Sequence, residues 1–387
     1  VVTYYVKASV AAVANKTNAA SSSCVAHTIA QKAVTVTAGS GNRAWNNSAL
    51  TNNTCTAGSN QLVSGHTVTC TMTSGSTITT AGSVDNEIST VTIKSGTTDV
   101  TSNYNVTTAK GTLTITLATP TLSLTAKSAA YTGSAISANT VSASPDAGGA
   151  KSYTYYSTTD CSGTALSGAP TNVGNYSVKA TVAAVANKTN ANSKCVTHTI
   201  TKSDTATSMS AVTKTYTGSA QAASGASAKL SSNSSTISNA AFTYAYYNGE
   251  SCSGTALSSA PKDAGSYSVK ATLTETDNYN ESTSSCVTYT MNQQAPSLNA
   301  TAPQTLTYPT AKTIDYTYDG DGEVTCETSS STYATCSVNT STKKLTITPV
   351  KPNGSTAVTI TLKATAGNNY SAATDKVISV TINKGTC

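Results

Sequence analysis

The ten cysteines are where this 387-residue chain has most capacity for covalent chemistry. Cys161 and Cys195 stand 34 residues apart, as do Cys252 and Cys286, and both pairs fall at the same places in two copies of a repeat. Equivalent pairing within each copy is the simplest connectivity, with Cys55 to Cys70 and Cys326 to Cys336 closing shorter loops. A loop of about 35 residues contributes roughly 3–4 kcal/mol in the chain-entropy account of crosslinking. Zinc would need Cys-x-x-Cys or a Cys/His cluster, and the sequence has neither. So many cysteines in small polar segments fit an oxidising compartment, and an extracellular or cell-surface location is expected.

Two cysteines are left over, Cys24 and Cys387. Residues 1–30 repeat residues 173–201, including Val-Ala-Ala-Val-Ala-Asn-Lys-Thr-Asn, so Cys24 corresponds to Cys195, the second of its pair. At the other end Asn383-Lys-Gly-Thr-Cys387 resembles Ala109-Lys-Gly-Thr-Leu113. Two expectations follow. Either the chain is a window of a longer repetitive polypeptide, or neighbouring copies complete the divided repeat. In the second case Cys24 would bond to Cys387 of the next copy in a head-to-tail filament.

The remaining candidates for chemistry are few. His27 and His198 share one repeat position, which Tyr289 takes in the next copy. A phenol cannot stand in for a general base or metal ligand, so an outward-facing strand residue is expected there. His66 follows Ser64-Gly65 in a turn, with no carboxylate or cysteine close in sequence. Neither a Ser-His-Asp order nor a Gly-x-Ser-x-Gly elbow is present, and six Glu hardly supply a carboxylate pair. No catalytic residue and no cofactor are assigned, and no enzymatic activity is expected. Asp319-Gly-Asp-Gly-Glu323 is the acidic cluster: Asp319, Asp321 and Glu323 could offer alternate oxygens to Ca²⁺. No Glu closes an EF-hand at the twelfth position, which favours a solvated hairpin turn. A Lys–Asn isopeptide bond would need a catalytic carboxylate in a chain short of them. Asn15, Asn105, Asn187, Asn280 and Asn353 head Asn-x-Ser/Thr triplets, so glycan modification is an open expectation. The Thr-x-Thr runs at Thr67, Thr112 and Thr359 read as exposed strand faces, where Thr is the favoured polar residue.

The elements that carry these residues announce themselves by repetition. Asn172-Val-Gly-Asn-Tyr-Ser-Val-Lys-Ala180 recurs 91 residues later as Asp263-Ala-Gly-Ser-Tyr-Ser-Val-Lys-Ala271. Cys161-Ser-Gly-Thr-Ala-Leu-Ser167 recurs as Cys252-Ser-Gly-Thr-Ala-Leu-Ser258, again 91 apart. Units open alike at Trp45-Asn-Asn-Ser-Ala, Tyr131-Thr-Gly-Ser-Ala, Tyr216-Thr-Gly-Ser-Ala and Tyr308-Pro-Thr-Ala. Such a period is too long for a solenoid turn and suits a small domain. Within a unit the pattern alternates, as in Tyr176-Ser-Val-Lys-Ala-Thr-Val182, where Tyr176, Val178, Ala180 and Val182 share one face. No amphipathic helix is evident. The units are expected to be β-sandwiches.

The Asx-x-Gly-x-Tyr-x-Val element resembles the tyrosine corner of immunoglobulin-like domains, with Tyr176 and Tyr267 in the corner position. On these residues the array resembles the bacterial immunoglobulin-like repeats, MBG-type modules included, of secreted and surface proteins. Ser64-Gly-His-Thr-Val-Thr69 and Val100 through Ile115 look like a related surface-protein module, and Ala295 through Lys384 like a further type. The resemblance implies an all-β tandem array of disulfide-stapled Ig-like sandwiches. The boundaries expected are 1–32 (the C-terminal part of a repeat), 33–117, 118–203, 204–293, 294–385 (a different type) and 386–387 (the start of a further strand). It also implies a scaffold: a structural component of an extracellular bacterial fibre, stalk or appendage, self-associating or continuing in a longer chain. The alternative is an adhesin that holds a glycan or host protein through surface Tyr and loops. Short linkers at Thr116–Pro120 and Thr201–Ser203 would restrict motion between units.

Composition narrows the partners further. A net charge of +6 is spread thinly over 23 basic and 17 acidic residues, without the basic–aromatic clusters of a nucleic-acid face. No apolar run reaches the ~18 residues that a membrane-spanning helix requires.

Overall fold

The computed structural model describes residues 2–16 and 21–385. Among them the chain is all-β, with one short 3-10 turn at Thr101–Asn103. It is a tandem array of Ig-like sandwiches carrying disulfide-linked cysteines. Among the described residues no helix is long and apolar enough to cross a membrane. Two compact units form: Val1–Lys127 with Ser137–Pro170 and Asn175–Thr199, and Ser128–Ile136 with Thr171–Gly174 and Ile200–Cys387.

In the first unit, strands Val2–Val6 and Val25–Ile29 form an isolated antiparallel pair. The following segment builds three three-stranded sheets rather than two facing ones. Two of them contain parallel pairs: Tyr104–Ala109 beside Lys32–Ala38, and Gly111–Thr116 beside Gly41–Ala44. Alternation along Lys32–Ala38 sends Val34 and Val36 inward against Ile93 and Tyr104, while Leu113 and Ile115 form a second small core with Ile78. Asn86 is fully buried between them, its amide donating to the carbonyls of Gly39 at 2.7 Å and Asn52 at 2.8 Å. Further on, Thr121–Ser123 pairs with Ser142–Ser144, facing a sheet in which Gly174–Val182 lies beside Lys151–Tyr156. Leu124, Val141, Tyr155, Val178 and Val182 fill the space between.

The second unit repeats that plan, with the strands Lys151–Tyr156 and Gly174–Val182 recurring 91 positions on and the facing pair about 85 on. Thr205–Ser208 pairs with Ser227–Leu230, and the opposite sheet runs Val212–Thr215, Val287–Asn292, Gly265–Leu273, Phe242–Asn248. The last three of these are antiparallel neighbours in the manner of immunoglobulin strands G, F and C, and Val212–Thr215 runs parallel to Val287–Asn292. The core is aromatic: Tyr246 and Tyr289 meet edge to face with centroids 5.7 Å apart, joined by Val269 and Met291. The last sandwich packs two four-stranded sheets over the most aliphatic core, with Leu306, Leu345, Ile347, Ile360, Leu362 and Ile378 buried.

Four cysteine pairs lie at disulfide separation, with Cα–Cα distances of 6.3 Å for Cys55–Cys70, 5.9 Å for Cys161–Cys195, 5.8 Å for Cys252–Cys286 and 6.2 Å for Cys326–Cys336. Cys24 is exposed with a free thiol, and Cys387 lies outside the described residues.

One expectation is corrected here. His198 does not face outward; it is fully buried, and so is Tyr289 at the equivalent place. The alternation of Val196-Thr-His-Thr-Ile200 explains why, because His198 shares a face with Ile200. Its ring meets Tyr155 edge to face at 5.5 Å. His and Tyr interchange there because each offers a flat apolar body with a polar tip. His27, in the isolated strand pair, is exposed.

Candidate functional site

Among the described residues no three His, Cys, Asp or Glu side chains cluster as a metal site would require. The acidic run shows why. Asp319 accepts the Ser297 amide at 2.6 Å, whereas both oxygens of Asp321 are taken by backbone amides, Asn369 at 2.7 Å and Tyr370 at 3.2 Å. Glu323 engages Thr365 through its own backbone. The interspersed glycines answer to packing: a Cβ at Gly322 would collide with the Thr365 carbonyl, and one at Gly367 with the Asp321 carboxylate. The run 319–323 thus forms a turn that clamps the loop 365–370. Asn353 is buried, and its amide donates to the carbonyls of Thr356 at 2.8 Å and Val380 at 3.1 Å. His66 bonds the Tyr104 hydroxyl at 2.7 Å, and that oxygen also accepts the Val63 amide.

What recurs instead is a junction built three times around an asparagine. Asn187 accepts the backbone amide of Ala81 on its side-chain oxygen at 2.7 Å. Asn278 accepts that of Val173 at 2.9 Å, and Asn369 that of Ala264 at 2.8 Å. In the second unit the same amides also donate onward, from Asn278 to the Asn172 side chain at 3.3 Å and from Asn369 to the Asp263 carboxylate at 3.2 Å. Each amide donor sits just before the glycine that opens a strand, at Gly82, Gly174 and Gly265.

The turn bearing each asparagine also grips a linker residue. Ala118 donates to the Asn187 carbonyl at 2.9 Å and accepts from Thr189 at 2.9 Å. Ser203 does the same with Asn278 and Asn280 (3.2 and 3.0 Å), and Gln294 with Asn369 and Ser371 (3.0 and 2.9 Å). Both linker residues Ala118 and Ser203 are buried. The residue after the asparagine meets an aromatic ring that opens a repeat: Lys188 lies 5.1 Å over Trp45, and Tyr370 meets Tyr216 edge to face at 5.4 Å. Such a junction can fix the register of one repeat against the next.

The cysteine frame has a repeated support of its own. The buried Ser268 hydroxyl accepts the Cys252 amide at 2.9 Å, and Ser177 accepts that of Cys161 at 2.8 Å. Both cysteines have positive φ, 46° and 57°, so these bonds hold a backbone that L-residues rarely adopt. Tyr267 donates its hydroxyl to the Asp263 carbonyl, four residues upstream, at 3.1 Å. Burial, then the Asp263 charge, pushes its pKa up.

Sequence reasoning found the aromatic openers and the Gly-x-Tyr element but missed the asparagines. Asn187, Asn278 and Asn369 stand 91 residues apart, so the same step that revealed the repeats also marks them.

No protein-family model matches this chain. No curated protein matches it either. Among solved structures it is similar to an I-band fragment of titin, with TM-score 0.26 and 10% identity, over 69% of this chain and 99% of that one. It is also similar to the three N-terminal domains of the highly immunogenic outer capsid protein Hoc of bacteriophage RB49, with TM-score 0.18 and 11% identity, over 67% and 96%.

Proposed function

We propose that this chain is a structural stretch of an extracellular bacterial fibre, stalk or surface appendage, made of Ig-like repeats of the MBG-type and related classes. The observation that carries the reading is the asparagine junction. It ties residues 33–117 to the repeat that follows inside the first unit, through Asn187, and it ties residues 204–293 to the last sandwich inside the second, through Asn369. A linker residue caught between two strands of hydrogen bonds has little freedom, and flexible tethers do not bury their linkers. Disulfides within the repeats suit a secreted polymer exposed to oxidants and proteases.

Electron microscopy of the wild-type chain and of the double variant Asn187→Ala/Asn369→Ala tests this. A narrow distribution of end-to-end lengths in the wild type, broadened in the variant, supports the spacer. Equal distributions in both would sink it. Assembly of the wild type into filaments of regular repeat would extend the reading to self-association.

A second reading, as an adhesin, is favoured by one feature. A cleft of about 420 Å³ is lined by Tyr131, Leu230, Ile237 and Tyr279 with hydroxyl side chains around them. Two Tyr faces beside hydroxyls are a suitable floor for a sugar ring. Binding on a glycan array that is lost in Tyr279→Ala would establish it.

A further inference from the structure

The aromatic residues that open the repeats share a backbone bond that the asparagine junctions do not use. Trp45 donates its amide to the Thr116 carbonyl at 2.9 Å, Tyr131 to Thr201 at 2.8 Å, Tyr216 to Asn292 at 2.9 Å and Tyr308 to Asn383 at 3.0 Å. Each acceptor is the final residue of its repeat's last strand. The bond finishes a parallel ladder between first and last strands. Val212–Thr215 runs parallel to Val287–Asn292, in register from Val212 with Tyr289 to Thr215 with Asn292. Gln304–Thr307 runs parallel to Lys376–Asn383, from Gln304 with Val380 to Thr307 with Asn383. Over residues 32–116 the counterpart is double, Lys32–Ala38 with Tyr104–Ala109 and Gly41–Ala44 with Gly111–Thr116.

Parallel first and last strands send the incoming and outgoing chain out at opposite ends of their ladder. Tension along the chain then slides one strand past the other and strains the evenly spaced bonds together. Antiparallel strands would release both chain ends on one side, and the bonds would part singly. The crosslinks sit behind the ladder. Cys286 immediately precedes Val287–Asn292, and Cys252 follows Phe242–Asn248. Once the ladder slips, tension reaches Cys286 and crosses its disulfide to Cys252. The loop between them, with the strand Gly265–Leu273, carries none of it. Cys195 stands in the same place ahead of Val196–Thr201 and is joined to Cys161.

We propose that the repeats are tension-bearing units with a built-in stop. The parallel ladder, closed by the aromatic opener, resists end-to-end load, and the disulfide fixes how much chain an opened repeat releases. A separation of 34 residues spans about 110 Å when extended, and that length is withheld from each of the repeats carrying Cys161–Cys195 and Cys252–Cys286. The biological use of such a device rests on the fibre reading, whereas the ladder itself is a property of the single chain.

The test pulls the full, oxidised chain in an optical trap in two geometries. With handles at the two chain ends, the ladder of residues 204–293 is loaded along its strands. Its opening step is recognised because Cys252→Ser/Cys286→Ser lengthens that step alone, by about 110 Å. With the handles moved to azide-bearing residues at the exposed positions Ser210 and Ser285, just ahead of the two parallel strands, the same ladder is peeled from one end. Forced opening is governed by the unfolding barrier along the loaded direction, so end-to-end pulling should require several-fold more force than peeling. Equal forces in the two geometries overturn the inference. A 204–293 step of the same length with and without the cysteine pair overturns it as well, by removing the stop. Should the cysteine variant fail to fold, the length of the oxidised step measured against the span 204–293 gives the same reading. Particle lengths under the electron microscope report on the asparagine junctions and not on this ladder, so the two readings fail separately.

Discussion

Buried hydroxyls in the second unit do work that apolar residues of similar size could not. Ser268 lies fully buried beneath the cysteine loop, where its oxygen is the partner of the Cys252 amide. Replacing it with Ala opens almost no space but leaves a buried donor unpaired, which costs about 1–3 kcal/mol. Chemical denaturation of Ser268→Ala should show that loss with the disulfide still formed. Tyr289 donates to the Gln221 carbonyl at 2.7 Å from the middle of the core. Burial, then the neighbouring Tyr246 and Tyr267, pushes its pKa up to about 12. The folded state therefore holds this proton more tightly than an unfolded tyrosine, which titrates near 10. The stability it supports is complete below pH 10 and drains away as pH rises from there towards 12. Urea midpoints measured at pH 8 and pH 11 should differ less in Tyr289→Phe than in the wild type. The remaining slope belongs to Tyr246, Tyr267 and Tyr316, whose pKa values burial raises as well.

At the level of elements, the sequence was most readable where one strand explains itself. Along Tyr-Ser-Val-Lys-Ala the strands Gly174–Val182 and Gly265–Leu273 bury the Val and Ala that the alternation selects, while Tyr176 and Tyr267 stay half-buried and Ser177 and Ser268 are buried against it. His198 was misjudged because exchangeability with Tyr was weighed above the alternation that places it beside Ile200. The three small sheets of the first unit were not legible, since their parallel pairs join strands about 70 residues apart and no local pattern encodes such a partner. Core content also separates the elements. The Tyr246–Tyr289 core is small, while the last sandwich buries eight Leu and Ile side chains. The crosslinks follow the same division, closing 34 residues in the former and 10 in the latter. Chain entropy assigns about 3.8 kcal/mol to the longer loop and about 2.7 to the shorter. Calorimetry should find that Cys252→Ser/Cys286→Ser lowers the melting transition more than Cys326→Ser/Cys336→Ser.

Across the whole chain, the acidic run and the asparagine junction belong to one device. Asp321 holds the turn from which Asn369 reaches Ala264. Asp321→Asn keeps the size but loses the charge that two amides share, so exchange at the Ala264 amide should quicken although that residue is untouched. Unchanged exchange there would separate the two. The candidate site was half legible: the 91-residue step contains the asparagines, but a repeated Asn in a chain rich in Asn reads as background until its partner is seen to be a backbone amide.

That choice of partner has an evolutionary consequence. Each asparagine oxygen asks its neighbour only for a peptide N–H, and the donors Ala81, Val173 and Ala264 share no side-chain requirement, while the amides of Asn278 and Asn369 also reach the side chains of Asn172 and Asp263. A bond read from side chain to main chain needs no matched mutation on the donor's side when a repeat is gained, lost or exchanged. A gene encoding such an array can lengthen or shorten by whole repeats through recombination with that one bond already available at each new joint.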